Sequence, residues 1–227
     1  MSTGFIFFLA LVPAIILHEL AHGYVAHLLG DETARNAGRL TINPLSHIDP
    51  FGSVLFPLML AVGQILAFGH VAFLYGWAKP VPINPFNLQL NGYRDPRRLM
   101  AIVGAAGPAM NFILALLAGL ALHGGQALTF LVLFIEINLL LGIFNLIPLP
   151  PLDGGRVAVG VLPLRWARGL ARTEQSGILL ILLVLFILPA VLGQFGVTFD
   201  PFRAAVSHIL PWAERLVLTL TGNTIGN

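Results

Sequence analysis

Long apolar runs with few charges limit how this chain can fold more than any other feature. The runs cover residues 5–29, 51–75, 99–122, 127–147 and 177–192. A helix needs about 20 apolar residues to cross a bilayer, and most of these runs reach that length. We therefore predict an all-α polytopic membrane protein. It is a bundle of about four to six transmembrane helices, with a re-entrant or extended segment between the first and second core helices.

The scarcity of charge favours the same fold class. Charged residues make up 10% of the chain, whereas a soluble domain carries about 25%. This composition excludes a soluble enzyme, a disordered chain and a typical nucleic-acid-binding protein. A net charge of +2 is too small to indicate a nucleic-acid partner. The chain has no cysteine, so any metal must be held by His, Asp or Glu.

The basic residues indicate how the bundle is oriented. Segments 76–98 and 152–176 each hold four of the 12 Lys and Arg residues, and the tight connection at 123–126 holds none. Because basic connections stay in the cytoplasm, we expect both segments there and the tight connection outside. The tail at 203–221 is either a kinked span or a helix lying in the interface.

Residues 51–75 have two alternative paths. If they dip into the bilayer and return, the end of the first run and the start of 99–122 lie on the same side, and Arg35 and Arg39 also face the cytoplasm. If they cross the bilayer, these two arginines lie outside. We favour the first path, for which three residues permit a break in the helix: Pro57, Gly63 and Gly69.

The first run contains the motif His18-Glu19-Leu20-Ala21-His22. Residues four apart share one face of a helix, so both imidazoles can reach one ion. Neutral imidazole suits zinc, and the intervening Glu19 can take a proton from water that the metal activates. Ionisable groups inside a membrane helix are costly and are usually functional. The alternative is a set of buried polar groups satisfied by neighbouring helices.

A catalytic zinc site needs about three protein ligands, and Asp153 is the strongest further candidate. It follows a proline-rich break after Asn145 and precedes two glycines, which can turn its carboxylate back into the bundle. The alternative is that Asp153 caps the helix beginning near Arg156. Other acids in the connections, such as Asp31, are expected to be solvated. Glu136 lies within a span and has no assigned function.

Three signatures together resemble the site-2 protease family of intramembrane zinc metalloproteases, peptidase family M50. They are His18-Glu19-Leu20-Ala21-His22, then Gly107-Pro108-Ala109-Met110-Asn111, then Asn145-Leu-Ile-Pro-Leu-Pro-Pro-Leu-Asp153-Gly154-Gly155. The stretches at 38–50 and 76–82 resemble a compact prokaryotic branch of that family. The resemblance covers residues 5–176, and the chain lacks the PDZ and CBS domains of several relatives.

The resemblance implies roles for the matching residues. His18, His22 and Asp153 would bind one Zn²⁺, Glu19 would act as general base and proton donor, and Asn145 would stabilise the oxyanion. Three further residues are candidates for supporting a ligand or binding substrate: Asn111, Asn138 and His47. We thus expect a single integral-membrane metalloprotease domain over 1–227, with its core at 5–176 and C-terminal helices at 177–221.

The implied reaction is hydrolysis of a peptide bond in or near a transmembrane segment of another protein. We expect a multi-pass protein of the prokaryotic cell membrane, with its active site nearer the cytoplasmic face and the lipid bilayer as its surroundings. One alternative is a polytopic ion or solute transporter with a buried metal or proton site, since buried charges and broken helices suit that class too. Another is a catalytically silent zinc-bound scaffold.

Overall fold

The computed structural model describes residues 3–71, 76–125, 128–196 and 201–223. Their regular secondary structure is helical, apart from one isolated antiparallel bridge between Leu90 and Tyr93. In chain order the α-helices are α1 (Thr3–Leu28), α2 (Thr33–Asn36), α3 (Phe56–Phe68), α4 (Pro96–Ala121), α5 (Leu128–Asn145), α6 (Asp153–Val161), α7 (Leu164–Ala171), α8 (Glu174–Leu182), α9 (Leu188–Gln194) and α10 (Pro201–Leu220). Short 3₁₀ turns cover Pro44–His47, Pro85–Asn87 and Leu122–Gly124, and π-helical turns cover Pro50–Leu55 and Leu183–Ile187.

Three described helices, α1, α4 and α5, are long and apolar enough to cross a membrane. They pack against one another and form the centre of the bundle. Helix α4 starts sharply because Pro96 occupies its first turn and the Asp95 carboxylate accepts the backbone N–H of Arg97 at 3.1 Å. The predicted class, an all-α membrane protein, is confirmed.

The C-terminal end of α1 and the N-terminal end of α4 lie together. Ala26 and Leu29 pack against Leu99 and Val103 in one buried cluster. The connection between the two helices, residues 29–95, therefore begins and ends at the same end of the bundle, as the favoured topology requires.

Asp31 joins this end of the bundle to the chain that approaches α4. Its side chain is 0% exposed and accepts hydrogen bonds from the backbone N–H of Asn84 at 2.7 Å, from Asn87 Nδ2 at 3.0 Å and from both the N–H and the hydroxyl of Thr33. The prediction that Asp31 is solvated is wrong. Burial raises its pKa, but the hydrogen bonds from Thr33, Asn87 and Asn84 more than offset this, and its pKa lies below the usual value.

The segment after Asp49 leaves the bundle and returns to its own starting point. Helix α3 continues through Gly63 and ends at Phe68. The next residue, Gly69, has a φ of 77°, a left-handed conformation that glycine adopts without steric cost. The chain then comes back so that the Trp77 N–H donates to the Gly52 carbonyl at 3.1 Å. The segment thus starts and ends at one place, as the re-entrant path requires, and the C-cap of its helix is Gly69, one of the three expected break positions; its entry into the bilayer stays a prediction. Part of its return path, 72–75, lies outside the described residues.

The C-terminal third adds helices to the outside of the core. Helix α6 packs along α4, and α10 packs against α4 and α5 through Ala213 and Val217. The predicted span at 177–192 is helical, as α8 and α9 joined by a π-helical turn. Glu136 on α5 is half-buried and lies close enough to Glu214 on α10 for their charges to interact, and it contacts no part of the metal centre described below.

Candidate metal centre

Helix α1 presents His18 and His22 one turn apart toward α4 and α6. Both imidazoles are buried, and their Nε2 atoms lie 3.1 Å from each other. Oδ2 of Asp153 lies 3.0 Å from Nε2 of His18 and 3.1 Å from Nε2 of His22. The three side chains predicted to bind a metal thus meet at one point inside the bundle, and they form the one such group among the described residues.

A chain of amides fixes the tautomer of His18. The Phe134 carbonyl can only accept, so the amide nitrogen of Asn138 donates to it, at 2.8 Å. Asn138 Oδ1 therefore faces Asn111 and accepts from its Nδ2 at 2.8 Å. Asn111 Oδ1 is then left to accept from His18 Nδ1–H, at 2.5 Å. With its proton on Nδ1, a neutral His18 directs the lone pair of Nε2 at Asp153.

The tautomer of His22 is fixed by the backbone. Its Nδ1–H donates to the Val103 carbonyl on α4 at 2.7 Å, and a carbonyl cannot donate in return. Nε2 of His22 therefore also carries a lone pair toward Asp153. This orientation of ligand histidines by an acceptor behind the ring is the usual arrangement in metal sites.

The convergent atoms fit a zinc ion. Two nitrogen lone pairs and one carboxylate oxygen, all acceptors, lie within about 3 Å of one another and repel unless a cation or proton lies between them. Ligand atoms of a tetrahedral zinc site, each about 2.0–2.1 Å from the metal, are separated by roughly 3.3 Å. The observed triangle is close to one face of such a tetrahedron, whose fourth corner is the position that water or substrate takes in a catalytic site.

Asp153 reaches this point because α6 packs tightly on α4. Its carboxylate caps no helix: Asp153 is the first residue of α6, the N-cap is Leu152, and no side chain caps the helix. The alternative capping role is therefore wrong. The remaining oxygen, Oδ1, lies 3.5 Å from Nη1 of Arg156, so the two carboxylate oxygens face different partners.

Two glycines on α4 make room for the centre. A Cβ atom at Gly107 would collide with both imidazoles, and one at Gly104 would lie 3.2 Å from the Asp153 carbonyl and 3.1 Å from Arg156 Cβ. Small residues are common where membrane helices pack closely. Here the missing side chain at Gly107 is also what admits the two ligands.

Glu19 lies beside the ligands and not among them. Its side chain is half-buried, and Oε2 accepts the backbone N–H of Val81 at 3.1 Å. The extended stretch around Val81 thereby holds the carboxylate at the edge of the site. This contact could not be predicted, because a backbone donor leaves no signature in the sequence.

The other predicted site residues have different surroundings. Asn145 is half-buried, and its amide donates to the Leu141 carbonyl of its own helix at 3.1 Å. His47 is 3% exposed, and its Nε2 contacts the Thr41 carbonyl at 2.8 Å, so the structure does not bring it to the metal ligands. Asn111 and Asn138, both 0% exposed, are the pair that orients His18.

An apolar cavity of about 660 Å³ lies along the turns of α1 that precede His18. Helix α1 contributes Phe8, Val12 and Ile15 to its wall, and the facing wall includes His47 and Trp77. Glu19 lies four residues after Ile15, so it is on the same face of α1 as these three residues. Glu19 therefore lies one turn beyond the cavity on the same face of α1.

Comparison with known proteins agrees with this geometry. The sequence model of peptidase family M50 matches residues 119–189. A Bacillus subtilis protein named "Putative zinc metalloprotease YwhC" is 37% identical over 82% of this chain and 81% of its own length. A Mycolicibacterium smegmatis protein named "Putative zinc metalloprotease Rip2" is 32% identical over 78% of this chain and 64% of its own.

A Mycobacterium tuberculosis protein, also named Rip2, is 30% identical over 87% of this chain and 73% of its own length. No solved structure matches the chain. The identity to the Bacillus relative extends over most of both proteins. This chain belongs to peptidase family M50, the site-2 protease family of zinc metalloproteases.

Proposed function

We propose that this protein is an intramembrane zinc metalloendopeptidase that hydrolyses a peptide bond in or near a transmembrane segment of a substrate protein. One observation carries the proposal: two imidazole lone pairs and a carboxylate oxygen converge inside an apolar helix bundle, with Glu19 at the edge of the same site. In this proposal the metal ligands are His18, His22 and Asp153.

The depth of the site supports cleavage within the bilayer. Gly107, which contacts both imidazoles, lies eleven residues after Pro96, and this is about 16 Å along α4. A water-soluble peptide would have to enter the bundle to this depth, whereas a transmembrane segment already lies there.

The cavity beside α1 supports an apolar substrate. Its volume of about 660 Å³ is that of a typical ligand pocket and accommodates a few large side chains. Its walls are mostly aliphatic and aromatic, as a segment from the membrane interior requires. A helix hides its carbonyls in hydrogen bonds, so the substrate must unwind locally before its peptide bond can be attacked.

When bound, zinc supplies a Lewis acid that polarises the scissile carbonyl and acidifies water. Glu19 takes a proton from the attacking water and passes it to the leaving amine. The Val81 N–H holds the Glu19 carboxylate in place for this transfer. We assign the oxyanion donor to Asn145, whose bond to the Leu141 carbonyl uses one of its two N–H groups.

The distribution of basic residues supports a multi-pass protein of the cell membrane with this site nearer the cytoplasmic face. The end of the bundle where α1 finishes and α4 begins carries Arg94, Arg97 and Arg98, and the connection at the opposite end has no Lys or Arg. Basic residues are retained on the cytoplasmic side.

The experiment compares wild type with Glu19→Gln and Asp153→Asn, each purified and reconstituted with a model transmembrane substrate. Glutamine preserves an acceptor for the Val81 N–H, so we expect Glu19→Gln to bind zinc like wild type and to lose cleavage. Asp153→Asn should lose zinc and cleavage together. Wild-type protein without zinc, or cleavage by Glu19→Gln, would refute the proposal. Metal-dependent flux without cleavage would favour a transporter.

A further inference from the structure

Helix α7 and its C-cap residue carry three arginines on one face. Arg165, Arg168 and Arg172 are spaced by three and four residues, so their side chains project from the same side of the helix and its final turn. All three are exposed. Among the described residues, the arginines that form ion pairs are Arg35, Arg98 and Arg156, and none of the three arginines on this face does.

The rest of α7 is apolar. Trp166 is 67% exposed and Leu164 is 52% exposed, while Ala167 is 1% exposed and faces the protein. A short helix with an arginine face and an exposed tryptophan is typical of helices that lie in the membrane interface. Tryptophan itself is enriched at the headgroup level of membrane proteins.

Contacts between α6 and α4 fix the level of α7 relative to the bundle. Near the start of α6, Asp153 and Arg156 pack against Gly104, about two turns into α4. Near its end, Gly160 packs against the Arg97 carbonyl. Arg97 Nη1 also donates to the Leu162 carbonyl at 2.6 Å. Helix α6 therefore runs back along α4, and α7 begins level with the first turn of that membrane-length helix.

We propose that α7 lies in the headgroup layer at this end of the bundle and that its arginine face binds the phosphate groups of anionic phospholipids. The guanidinium group suits this partner because its planar N–H donors match phosphate oxygens in pairs. Charge complementarity favours anionic over zwitterionic lipid, and Trp166 anchors the helix from its other side. The proposal requires only that α4 crosses the bilayer, so it does not depend on peptidase activity.

The test measures which lipid lies next to Trp166. A Trp77→Phe/Trp212→Phe background leaves it as the one tryptophan, and the protein is reconstituted in phosphatidylcholine. A minor fraction of brominated phosphatidylglycerol or brominated phosphatidylcholine serves as quencher. One basic side chain at an anionic surface is worth about a fivefold preference, so three acting independently give on the order of a hundredfold. We expect quenching by the anionic lipid to exceed quenching by the zwitterionic one several-fold, and to fall at high salt.

Matched variants separate the site from net charge. In Arg165→Gln/Arg168→Gln/Arg172→Gln the excess quenching should disappear. In Arg35→Gln/Arg94→Gln/Arg215→Gln, which removes the same charge from exposed arginines elsewhere, it should remain. If both brominated lipids quench Trp166 equally in the protein that keeps all three arginines, the proposal is overturned. Loss of the excess quenching in the control triple variant would also overturn it.

Discussion

Replacing Asn111 by alanine removes the acceptor that holds His18 in its ligand tautomer. The change leaves His18 Nδ1–H and Asn138 Oδ1 buried without a partner, because in the wild-type protein Asn111 is the partner of both atoms. Each unpaired group costs about 1–3 kcal/mol of stability. Loss of an oriented ligand typically weakens metal binding by about 10–100-fold. We therefore expect zinc affinity to fall by about 1.4–2.7 kcal/mol.

The assay is competition between the reconstituted protein and a zinc chelator of known affinity, with thermal unfolding measured in parallel. Asn111→Asp keeps an oxygen acceptor for His18 and should bind zinc more tightly than Asn111→Ala. Asn138→Ala acts one step further from the ring and should lose less affinity. The exposed Asn36→Ala is the matched control and should behave as wild type. If folded Asn111→Ala binds zinc as tightly as wild type, the tautomer argument is refuted.

Three further changes test other contacts of the centre and the fold. Gly107→Ala should abolish zinc binding because its Cβ would collide with both imidazoles, whereas Gly63→Ala, with open space at the same position, should leave zinc binding unchanged. Arg156→Ala frees the second oxygen of Asp153, which can then also bind the metal. The cobalt-substituted variant should therefore show the weaker visible absorption of a higher coordination number, and Arg156→Lys should restore the wild-type spectrum. The pKa of Asp31 in the folded protein lies below the unfolded value of about 3.9. The ionised carboxylate therefore stabilises the fold above about pH 3.9, and this stabilisation is lost as the pH falls through the folded pKa. Thermal unfolding of Asp31→Asn should therefore be less pH-dependent than wild type in that acidic window, and an identical pH profile would contradict this assignment.

Sequence alone predicts the part of the centre that lies within one helix. His18 and His22 are four residues apart, and helical periodicity is enough to put their rings on one side. The spacing of Asp153 leaves two roles open, because its position depends on how closely α6 approaches α4. Gly104 and Gly107 permit that approach, but their effect appears only when both helices are in place.

Other contacts are hidden from sequence for the same reason. The Val103 carbonyl and the Val81 N–H belong to the backbone, so the residue type at those positions says nothing about the bonds they make. The sequence places Asp31 in a connecting segment, and this predicts a solvated charge. Its hydrogen-bond partners Asn84 and Asn87 are more than 50 residues away, and this separation gives no local pattern to recognise.

X-ray absorption at the zinc edge of the purified protein tests the central claim most directly. If His18, His22 and Asp153 hold one zinc ion, the spectrum should fit two imidazole nitrogens and two oxygens at about 2.0–2.1 Å, one oxygen from Asp153 and one from water. Asp153→Asn should lose this signal, and Glu19→Gln should keep it. A wild-type spectrum with a single imidazole, or one unchanged in Asp153→Asn, would contradict the proposed centre.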